Sequence, residues 1–171
     1  MYGDKPLVSI CCIAFNHENF IDQAIGGFLR QITKFEIEII IHDDASSDST
    51  ARIIQGYANE HPGLIFPIVQ TVNQYSQGKK PLLDFVFPRA VGKYLAVCEG
   101  DDYWIDPYKL QKQVDFLETH PEYVFSFHDS IILNQRTGEK RMRIGDRQIE
   151  NTVDLKSLII QNNIPTASIV F

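Results

Sequence analysis

The sequence predicts an α/β domain in which a mostly parallel central sheet carries helices on both faces. Strand-like and helix-like stretches alternate along most of the 171 residues, and this order of elements is typical of parallel α/β sheets. The strand-like stretches are continuous apolar runs, which indicates strands that are buried on both faces. We see no repeat, linker or low-complexity segment, so residues 1–171 are expected to form one domain.

The first four elements follow from the spacing of apolar residues. Residues 7–15 (LVSICCIAF) form an unbroken apolar run and are predicted as a strand. Apolar residues at helical spacing predict a helix over 18–31. The stretch 35–44 begins with alternation and becomes fully apolar, which predicts a second strand. Residues 47–61 begin with Ser and Asp, which can cap a helix, and continue at helical spacing.

The later elements are marked by prolines and polar loops. Pro67 places a weaker strand at an edge of the sheet, because proline cannot donate a backbone hydrogen bond. Pro81 marks the beginning of a helix and Pro121 the end of another. The remaining predicted elements are a strand over 64–71, a polar loop over 73–80, a short helix over 81–90, a strand over 93–100, an amphipathic helix over 106–121, strands over 123–129 and 130–134, a hairpin turn with a charged ribbon over 136–143, a helix over 153–163 and a strand over 167–171.

Composition and charge narrow the classes of function. The net charge of −6 at pH 7 argues against a nucleic-acid-binding protein, which usually shows a basic face. A nucleotide ligand is compatible with this charge, because a divalent metal ion can supply positive charge locally. Cys11, Cys12 and Cys98 lie in apolar runs without C-x-x-C spacing, which predicts buried thiols in a reducing compartment. We see no signal peptide and no apolar run long enough for a transmembrane segment, so we expect a cytoplasmic protein, either free or at the inner face of the cell membrane.

Three polar clusters fall where predicted strands end, which is the edge at which parallel α/β sheets bind ligands. They are AFNHEN after the first strand, HDDASSDST after the second and CEGDDYW after the strand over 93–100. One acidic strand end alone is equally well explained as a helix-capping loop. Two acidic ends on strands of one parallel sheet converge on one crevice, so the pair favours a ligand site, and carboxylates this close to one another call for a cation.

Together, the clusters resemble the family 2 glycosyltransferases of GT-A fold. The resemblance lies in residues 8–31, 37–50 and 92–123, and in order and spacing it extends over roughly 6–135. It implies a Rossmann-like three-layer GT-A domain that binds a nucleoside-diphosphate sugar, with UDP as the expected nucleotide. The implied reaction is transfer of the sugar, with inversion, to a hydroxyl of a carbohydrate or lipid-linked acceptor in bacterial polysaccharide or glycan biosynthesis.

The resemblance also implies a metal ion, Mn²⁺ or Mg²⁺, at the turn after the strand over 93–100. EGD occupies the position of the family's D-x-D turn, with Glu99 in place of the first Asp and Asp102 as an extra carboxylate. Asp102 is implied as the direct metal ligand and Asp101 as a ligand of the metal or a partner of the ribose hydroxyls. Glu99 is expected to act through water or to orient the turn. The alternative is an acidic, solvated turn without a ligand.

The second cluster is assigned to the base of the nucleotide. Asp44 matches the carboxylate that accepts a hydrogen bond from the edge of the base, and uracil N3–H is a suitable donor. Asp43 is expected to contact the base or to hold the turn. Asp48 is expected to cap the next helix, and His42 is more often a structural hydrogen-bonding residue at such a position than a catalyst.

The first cluster and a basic loop complete the expected nucleotide site. Phe15 matches an aromatic ring that stacks beside the base, with a position in the core as the alternative. Ala14 and Asn16 are expected at the same rim. Lys79, with Lys80 beside it, lies in a loop where the family often has a basic residue near the base or diphosphate, and the alternative is a pair of solvated surface lysines.

The acceptor side is less defined in the sequence. Trp104 is a candidate wall of the sugar or acceptor pocket, or else an anchor of the turn in the core, and Asp106 is expected to cap the helix that follows. His128 and Asp129 are further acceptor-side candidates. The last predicted strand ends at Phe171 without a following element, so we expect the domain to be truncated at its C-terminus and the catalytic base to lie beyond that residue.

Other classes of protein were weighed against this interpretation. A metal-dependent nucleotidyltransferase usually has a Gly-rich, basic phosphate loop after the first strand, and AFNHEN is neither. A phosphoacceptor receiver domain has its acid pair after the first strand and a Lys after the fifth, and this pattern is absent. A non-catalytic nucleotide-sugar-binding module is the alternative from outside the enzymes.

Overall fold

A four-stranded parallel sheet forms the centre of the computed structural model, which describes residues 5–142, 152–154, 156 and 164–171. Its strands are β1 (Val8–Ala14), β2 (Ile37–Asp43), β3 (Ile65–Val69) and β4 (Tyr94–Glu99). The strand order across the sheet is β3-β2-β1-β4, and every neighbouring pair is parallel. The predicted α/β class and mostly parallel sheet are therefore confirmed, and Pro67 lies on an edge strand as predicted.

Three helices cover one face of the sheet: α1 (Ile21–Leu29), α2 (Thr50–Glu60) and α3 (Lys109–Thr119). Their apolar stripes pack with one face of the strands in a single core cluster. The cluster includes Phe28 of α1 and Ile54 of α2, both fully buried. No helix in the described ranges is long and apolar enough to cross a membrane.

The opposite face of the sheet is covered by short helical turns. The chain makes a π-helical turn at Leu82–Val86 and a 3₁₀ turn at Phe87–Arg89, and Val86 is buried against this face. The sequence predicted one regular helix over 81–90. Proline at position 88 cannot donate the hydrogen bond that a continuing α-helix needs, which explains the change to a tighter turn.

The end of the chain differs from its prediction. The strand expected over 167–171 begins as a 3₁₀ turn at Thr166–Ser168, and Val170 forms single antiparallel bridges to Ala96 and Ser126. The strand expected over 123–129 is reduced to that one bridge. The end of the chain still pairs with β4 on either side of Val170, since Phe171 and Leu95 exchange two backbone hydrogen bonds and Val97 N donates to the carbonyl oxygen of Ile169 at 3.4 Å.

A small hairpin lies between α3 and the end of the chain. Strands β5 (Ile131–Leu133) and β6 (Lys140–Met142) pair antiparallel around the turn that the sequence predicted. Gly138 in this turn has a φ of 72°, a conformation that favours glycine. The helix predicted over 153–163 lies largely outside the described residues.

A buried carboxylate ties the chain before β4 to the β1–β2 pair. Ser9 Oγ donates to Glu38 Oε1 at 2.5 Å, and the backbone N–H of Val91 donates to the same oxygen at 2.8 Å. Gly92 N donates to Ser9 Oγ at 2.8 Å. A Cβ at Gly92 would lie 2.6 Å from Ser9 N, so the close approach of the two backbones requires glycine.

The three cysteines are free and buried, as predicted. Cys11 and Cys12 lie in β1 and Cys98 in β4. Burial raises the pKa of the Cys11 thiol to about 12 and raises the pKa of Cys12 and Cys98 as well. Each thiol therefore stays protonated in the folded protein near neutral pH and behaves as a small apolar group.

Candidate active site

The three polar clusters meet at the carboxyl edge of the sheet. The register places Ala14 beside Asp43 and Ile13 beside Glu99. The direction in which successive strands are added to the sheet reverses at β1, because β2 and β3 lie on one side of β1 and β4 lies on the other. Such a change opens a crevice at the carboxyl ends of the strands, where α/β sheets bind ligands.

The first and second clusters form one hydrogen-bonded unit. Asn16 N donates to Ser46 Oγ at 2.8 Å, and Asn16 Oδ1 accepts the N–H of Ser47 at 2.9 Å. Asn16 has a φ of 56°, a left-handed conformation that asparagine tolerates better than most residues. The loop after β1 is therefore held in place by the loop after β2.

A second set of contacts joins the same two loops. Glu18 N donates to Asp48 Oδ2 at 3.1 Å, and Glu18 Oε2 accepts the N–H of Ser49 at 2.9 Å. Asp48 Oδ1 also accepts the N–H of Thr50 at 2.9 Å. Asp48 thus caps the first turn of α2, as the sequence predicted.

Asp43 and Asp44 are both buried, and each holds backbone in place. Asp43 accepts hydrogen bonds from Ser46 Oγ at 2.5 Å and from Ser46 N at 3.1 Å, which is the turn-holding role of its two predicted alternatives. The two carboxylate oxygens of Asp44 accept the N–H groups of Gln74 at 2.7 Å and Tyr75 at 3.0 Å. Asp44 therefore fixes the loop that leads to Lys79, and each of its oxygens keeps accepting capacity.

The predicted rim residues differ in exposure. Phe15 is 46% exposed, so its alternative position in the core is wrong. Ala14 is buried, and its carbonyl oxygen accepts the N–H of Asp44 at 2.9 Å. Lys79 and Lys80 are exposed, and their amino groups form no hydrogen bond or ion pair with another described residue, so they are available to a ligand.

The acidic turn after β4 packs against a histidine that the sequence analysis did not single out. Gly100 N donates to the carbonyl oxygen of Ile13 at 2.9 Å. His17 Nε2 lies 3.9 Å from Asp101 Oδ2, and a Cβ at Gly100 would lie 2.9 Å from His17 Nδ1. In the sequence, the only indication for His17 was its position in the polar cluster AFNHEN, directly after Asn16. Asp101 and Asp102 are exposed, and Glu99 is half-buried.

The family follows from a match over nearly the whole chain. The family model described as "Glycosyl transferase family 2" matches residues 9–170. The chain belongs to glycosyl transferase family 2. The resemblance found in the three clusters is thereby confirmed, and the nucleotidyltransferase alternative is set aside.

Relatives of this family 2 chain come from several organisms. An uncharacterized protein of Mycobacterium tuberculosis (strain ATCC 25618 / H37Rv) is 40% identical over 164 residues, which are 96% of this chain and 46% of the relative. The Escherichia coli protein named UDP-Glc:alpha-D-GlcNAc-diphosphoundecaprenol beta-1,3-glucosyltransferase WfaP is 33% identical over 126 residues, which are 74% of this chain and 47% of WfaP. The chain thus spans under half the length of these relatives.

A solved structure confirms the GT-A fold of the family 2 chain. It is the mannosyltransferase PcManGT from Pyrobaculum calidifontis in complex with GDP-Man and Mn²⁺. The TM-score is 0.61 at 21% sequence identity, and the match covers 78% of this chain and 37% of PcManGT. At this identity the likeness concerns the fold alone.

The acidic turn fits a metal ion that is shared with a substrate. Within the part of the chain that the structure describes, no group of three or more His, Cys, Asp or Glu side chains is placed to hold a metal ion. Asp101 and Asp102 nevertheless offer exposed carboxylate oxygens, the ligands that Mg²⁺ and Mn²⁺ prefer. Mg²⁺ commonly takes only one or two carboxylates from a protein and completes its shell with water and substrate phosphates. The residues therefore suit such a shared ion and not a cage made of protein alone.

Trp104 anchors the acidic turn in the core. Its side chain is 4% exposed, and Nε1 donates to the carbonyl oxygen of Ala167 at 2.7 Å. The ring meets Phe28 edge-on at 4.9 Å between centroids, and Lys109 Nζ lies 4.2 Å from the centroid of the indole. These contacts support the second of the two predicted roles of Trp104, an anchor of the turn in the core.

The other acceptor-side candidates lie in the segment that follows α3. His128 and Asp129 are exposed, and His128 Nδ1 lies 2.6 Å from the carbonyl oxygen of Asp129. Burial lowers the pKa of His128, and the nearby charges of Lys109 and Asp106 also act on this ring. Asp106 accepts the N–H of Tyr108 at 2.9 Å and the ammonium group of Lys112 at 2.7 Å, so it caps the turn that leads into α3.

His42 has a structural environment. Its ring is fully buried and stacks on Phe85 at 5.3 Å between centroids. Nε2 lies 3.2 Å from Gln70 Nε2, so a neutral ring can accept a hydrogen bond from this amide. Burial lowers the pKa of His42, which keeps the ring neutral near pH 7.

Proposed function

We propose that this chain is the donor-binding part of an inverting glycosyltransferase that takes a sugar from a UDP-linked donor. Mn²⁺ or Mg²⁺ assists the transfer of the sugar. The acceptor is a hydroxyl group of a molecule used in bacterial polysaccharide or glycan synthesis. The observation that carries the proposal is the convergence at one edge of the sheet of the exposed ring of Phe15, the carboxylate of Asp44 and the exposed carboxylates of Asp101 and Asp102. The name of WfaP includes UDP-Glc and the solved complex of PcManGT contains Mn²⁺, which supports the choice of donor and metal.

The base of the nucleotide is assigned to the β1–β2 side of this edge. Phe15 offers an exposed ring face, and stacking on a nucleobase contributes about 1–3 kcal/mol. Asp44 carries the remaining acceptor capacity for uracil N3–H, while its contacts to Gln74 and Tyr75 hold the carboxylate in one orientation. The same contacts position the loop of Lys79, whose ammonium group suits a diphosphate.

The diphosphate is assigned to the β4 side. Asp102 and Asp101 would hold the metal ion, and Glu99, half-buried at the end of β4, would orient the turn. A bound divalent ion neutralises the negative charge that develops on the leaving nucleoside diphosphate. Transfer with inversion needs a general base to deprotonate the attacking acceptor hydroxyl, and we assign that base to chain beyond Phe171.

The first test measures whether nucleotide and metal bind together. Carboxylates that repel one another should bind UDP only when a cation lies between them and the diphosphate. We therefore expect calorimetry to show at least tenfold tighter UDP binding with Mn²⁺ than with EDTA, and Asp102→Asn to remove that difference. Asp115→Asn, an exposed carboxylate on α3, is the matched control. If the unmodified chain binds UDP equally well with Mn²⁺ and with EDTA, the proposed function is contradicted.

The second test separates base recognition from metal binding. Asp44→Ala should weaken UDP binding by about 1.5–3 kcal/mol, the range for a hydrogen bond to a charged group, while the ratio of affinities with and without Mn²⁺ stays the same. Asp44→Asn keeps the size of the side chain and serves as the comparison for loop anchoring. Unchanged UDP affinity in Asp44→Ala would exclude this residue from base recognition.

A further inference from the structure

A cleft of about 490 Å³ opens next to the acidic turn. The N-terminal end of α1 forms one side and the β5–β6 hairpin the other. This volume lies in the range of small-molecule sites. The residues that line it include Asn19, Phe20, Gln23, Tyr103, Leu133 and Gln135.

The cleft is lined by uncharged hydrogen-bonding groups and by aromatic rings. Asn19, Gln23 and Gln135 contribute carboxamides, each able to donate and to accept. These side chains and the hydroxyl of Tyr103 form no hydrogen bond with any other residue in the described ranges. Phe20 and Tyr103 contribute rings. None of the lining residues is charged, although the chain as a whole has a net charge of −6.

This lining matches the chemistry of a neutral sugar. A pyranose carries hydroxyls that both donate and accept, and carboxamides can pair with two such groups at once. The C–H faces of the ring are apolar and pack on aromatic side chains, whose bodies are apolar. A phosphate or carboxylate would lose part of its hydration here without meeting a counter-charge, so a neutral ligand is favoured.

Two of the lining residues adjoin the acidic turn. Tyr103 directly follows Asp102. On the other side, the carbonyl oxygen of His17 accepts the N–H of Phe20 at 2.9 Å, and His17 lies beside Asp101. A sugar in the cleft would therefore lie next to the turn at which the donor is assigned.

The hairpin wall is ordered by its own contacts. Asn134 Oδ1 accepts the N–H groups of Arg136 at 3.1 Å and Thr137 at 3.2 Å. Gly138 N donates to the carbonyl oxygen of Asn134 at 2.7 Å. The wall that carries Gln135 is thus formed before any ligand binds, which reduces the entropy cost of binding.

We propose that this cleft is the subsite for a neutral sugar unit of the acceptor. The inference rests on the proposed function, since it assumes that the donor binds at the adjoining acidic turn. Gln23 and Gln135 would hydrogen-bond the sugar hydroxyls from opposite walls, and Tyr103 would pack on a face of the ring.

The test uses methyl glycosides of glucose, galactose, mannose and N-acetylglucosamine as probes. Saturation-transfer NMR on the unmodified chain should detect binding of at least one of them, and methyl glucuronide, which is charged, should bind at least fivefold more weakly. Gln23→Ala, Gln135→Ala and Tyr103→Ala should each reduce the signal at least threefold. Gln55→Ala on α2 and Tyr108→Ala, both exposed side chains outside the cleft, are the matched controls.

UDP binding with Mn²⁺ is measured on the same variants and separates the two proposals. Unchanged UDP affinity in a variant shows that the variant is folded. If the unmodified chain does not bind UDP, that result contradicts the proposed function and not the inference about the cleft. Binding of no neutral glycoside, or equal signals from cleft and control variants, would overturn the inference. Displacement of the glycoside by UDP-glucose, but not by UDP, would also overturn it, because the cleft would then hold the donor's own sugar.

Discussion

At the scale of single residues, Lys109 is the most unusual side chain near the acidic turn. It is 3% exposed, and its amino group has no hydrogen-bond partner among the described residues. Nζ lies over the indole of Trp104, a favourable contact that compensates only part of the lost hydration. Burial lowers the pKa of Lys109 to about 7, so the folded protein holds this amine partly neutral at physiological pH.

The lowered pKa of Lys109 predicts a stability that rises with pH. Above pH 7 the unfolded chain keeps a proton on this amine that the folded chain has released, so the free energy of unfolding should rise by up to about 1.4 kcal/mol per pH unit. The cysteines act in the opposite direction above about pH 8.5, because their raised pKa values keep them protonated only in the folded state. Stability should therefore be highest near about pH 8–8.5.

Lys109→Met is the variant that tests this account. Methionine keeps the packing against Trp104 and removes the buried amine, so the free energy of unfolding at pH 7 should increase by on the order of 2–4 kcal/mol. In this variant, the free energy of unfolding should no longer rise between pH 7 and about pH 8. Urea unfolding at the two pH values measures both effects. A variant that keeps the slope would show that another group causes it.

At the scale of elements, glycines set the spacing at both ends of β4. Gly92 lets the chain enter β4 against the backbone of Ser9, and Gly100 lets the turn after β4 approach His17. Gly56, in contrast, lies inside α2, and apart from the backbone of its own helix and its chain neighbours no atom lies within 4 Å of a Cβ position. Replacing glycine by alanine should therefore stabilise the protein at position 56 and destabilise it at position 92.

Gly56→Ala should raise the free energy of unfolding by about 0.5–1 kcal/mol, because alanine favours the helix and restricts the unfolded chain. Gly92→Ala should lower it by roughly 1–3 kcal/mol, since the new methyl group would meet backbone atoms that cannot move aside. Thermal melts of the two variants beside the unmodified chain provide the measurement. Similar shifts for both variants would contradict the spacing seen at β4.

At the scale of the whole molecule, the chain covers 46% of its mycobacterial relative and 47% of WfaP. The assigned donor residues all lie between positions 14 and 102, on one edge of the sheet. We therefore expect the 171-residue chain to bind UDP and Mn²⁺, and to transfer sugar about 10²–10⁴ times more slowly than a version that contains the base, the usual contribution of a general base.

This prediction is tested by comparing the chain with a version extended to the length of its relatives, using the same donor and acceptor. Donor binding by calorimetry should be equal in the two, while turnover should differ. Equal turnover would place the base within these 171 residues, and Asp129 would then be the first residue to replace by Asn.

The sequence by itself determined the fold class, the four central strands and the place of the three polar clusters. These features depend on local patterns, since continuous apolar runs mark buried parallel strands and ligands bind where such strands end. Membership of the family was also readable from the clusters AFNHEN, HDDASSDST and CEGDDYW.

Only the tertiary structure decided the order of the strands and the partners of the site residues. The approach of His17 to Asp101, the burial of Trp104 under Lys109 and the attachment of the loop of Lys79 to Asp44 join residues from different elements. The cleft between α1 and the hairpin has the same origin, because Gln23 and Gln135 lie far apart in the chain. Such contacts are set by the packing of whole elements against one sheet, which no local pattern of residues encodes.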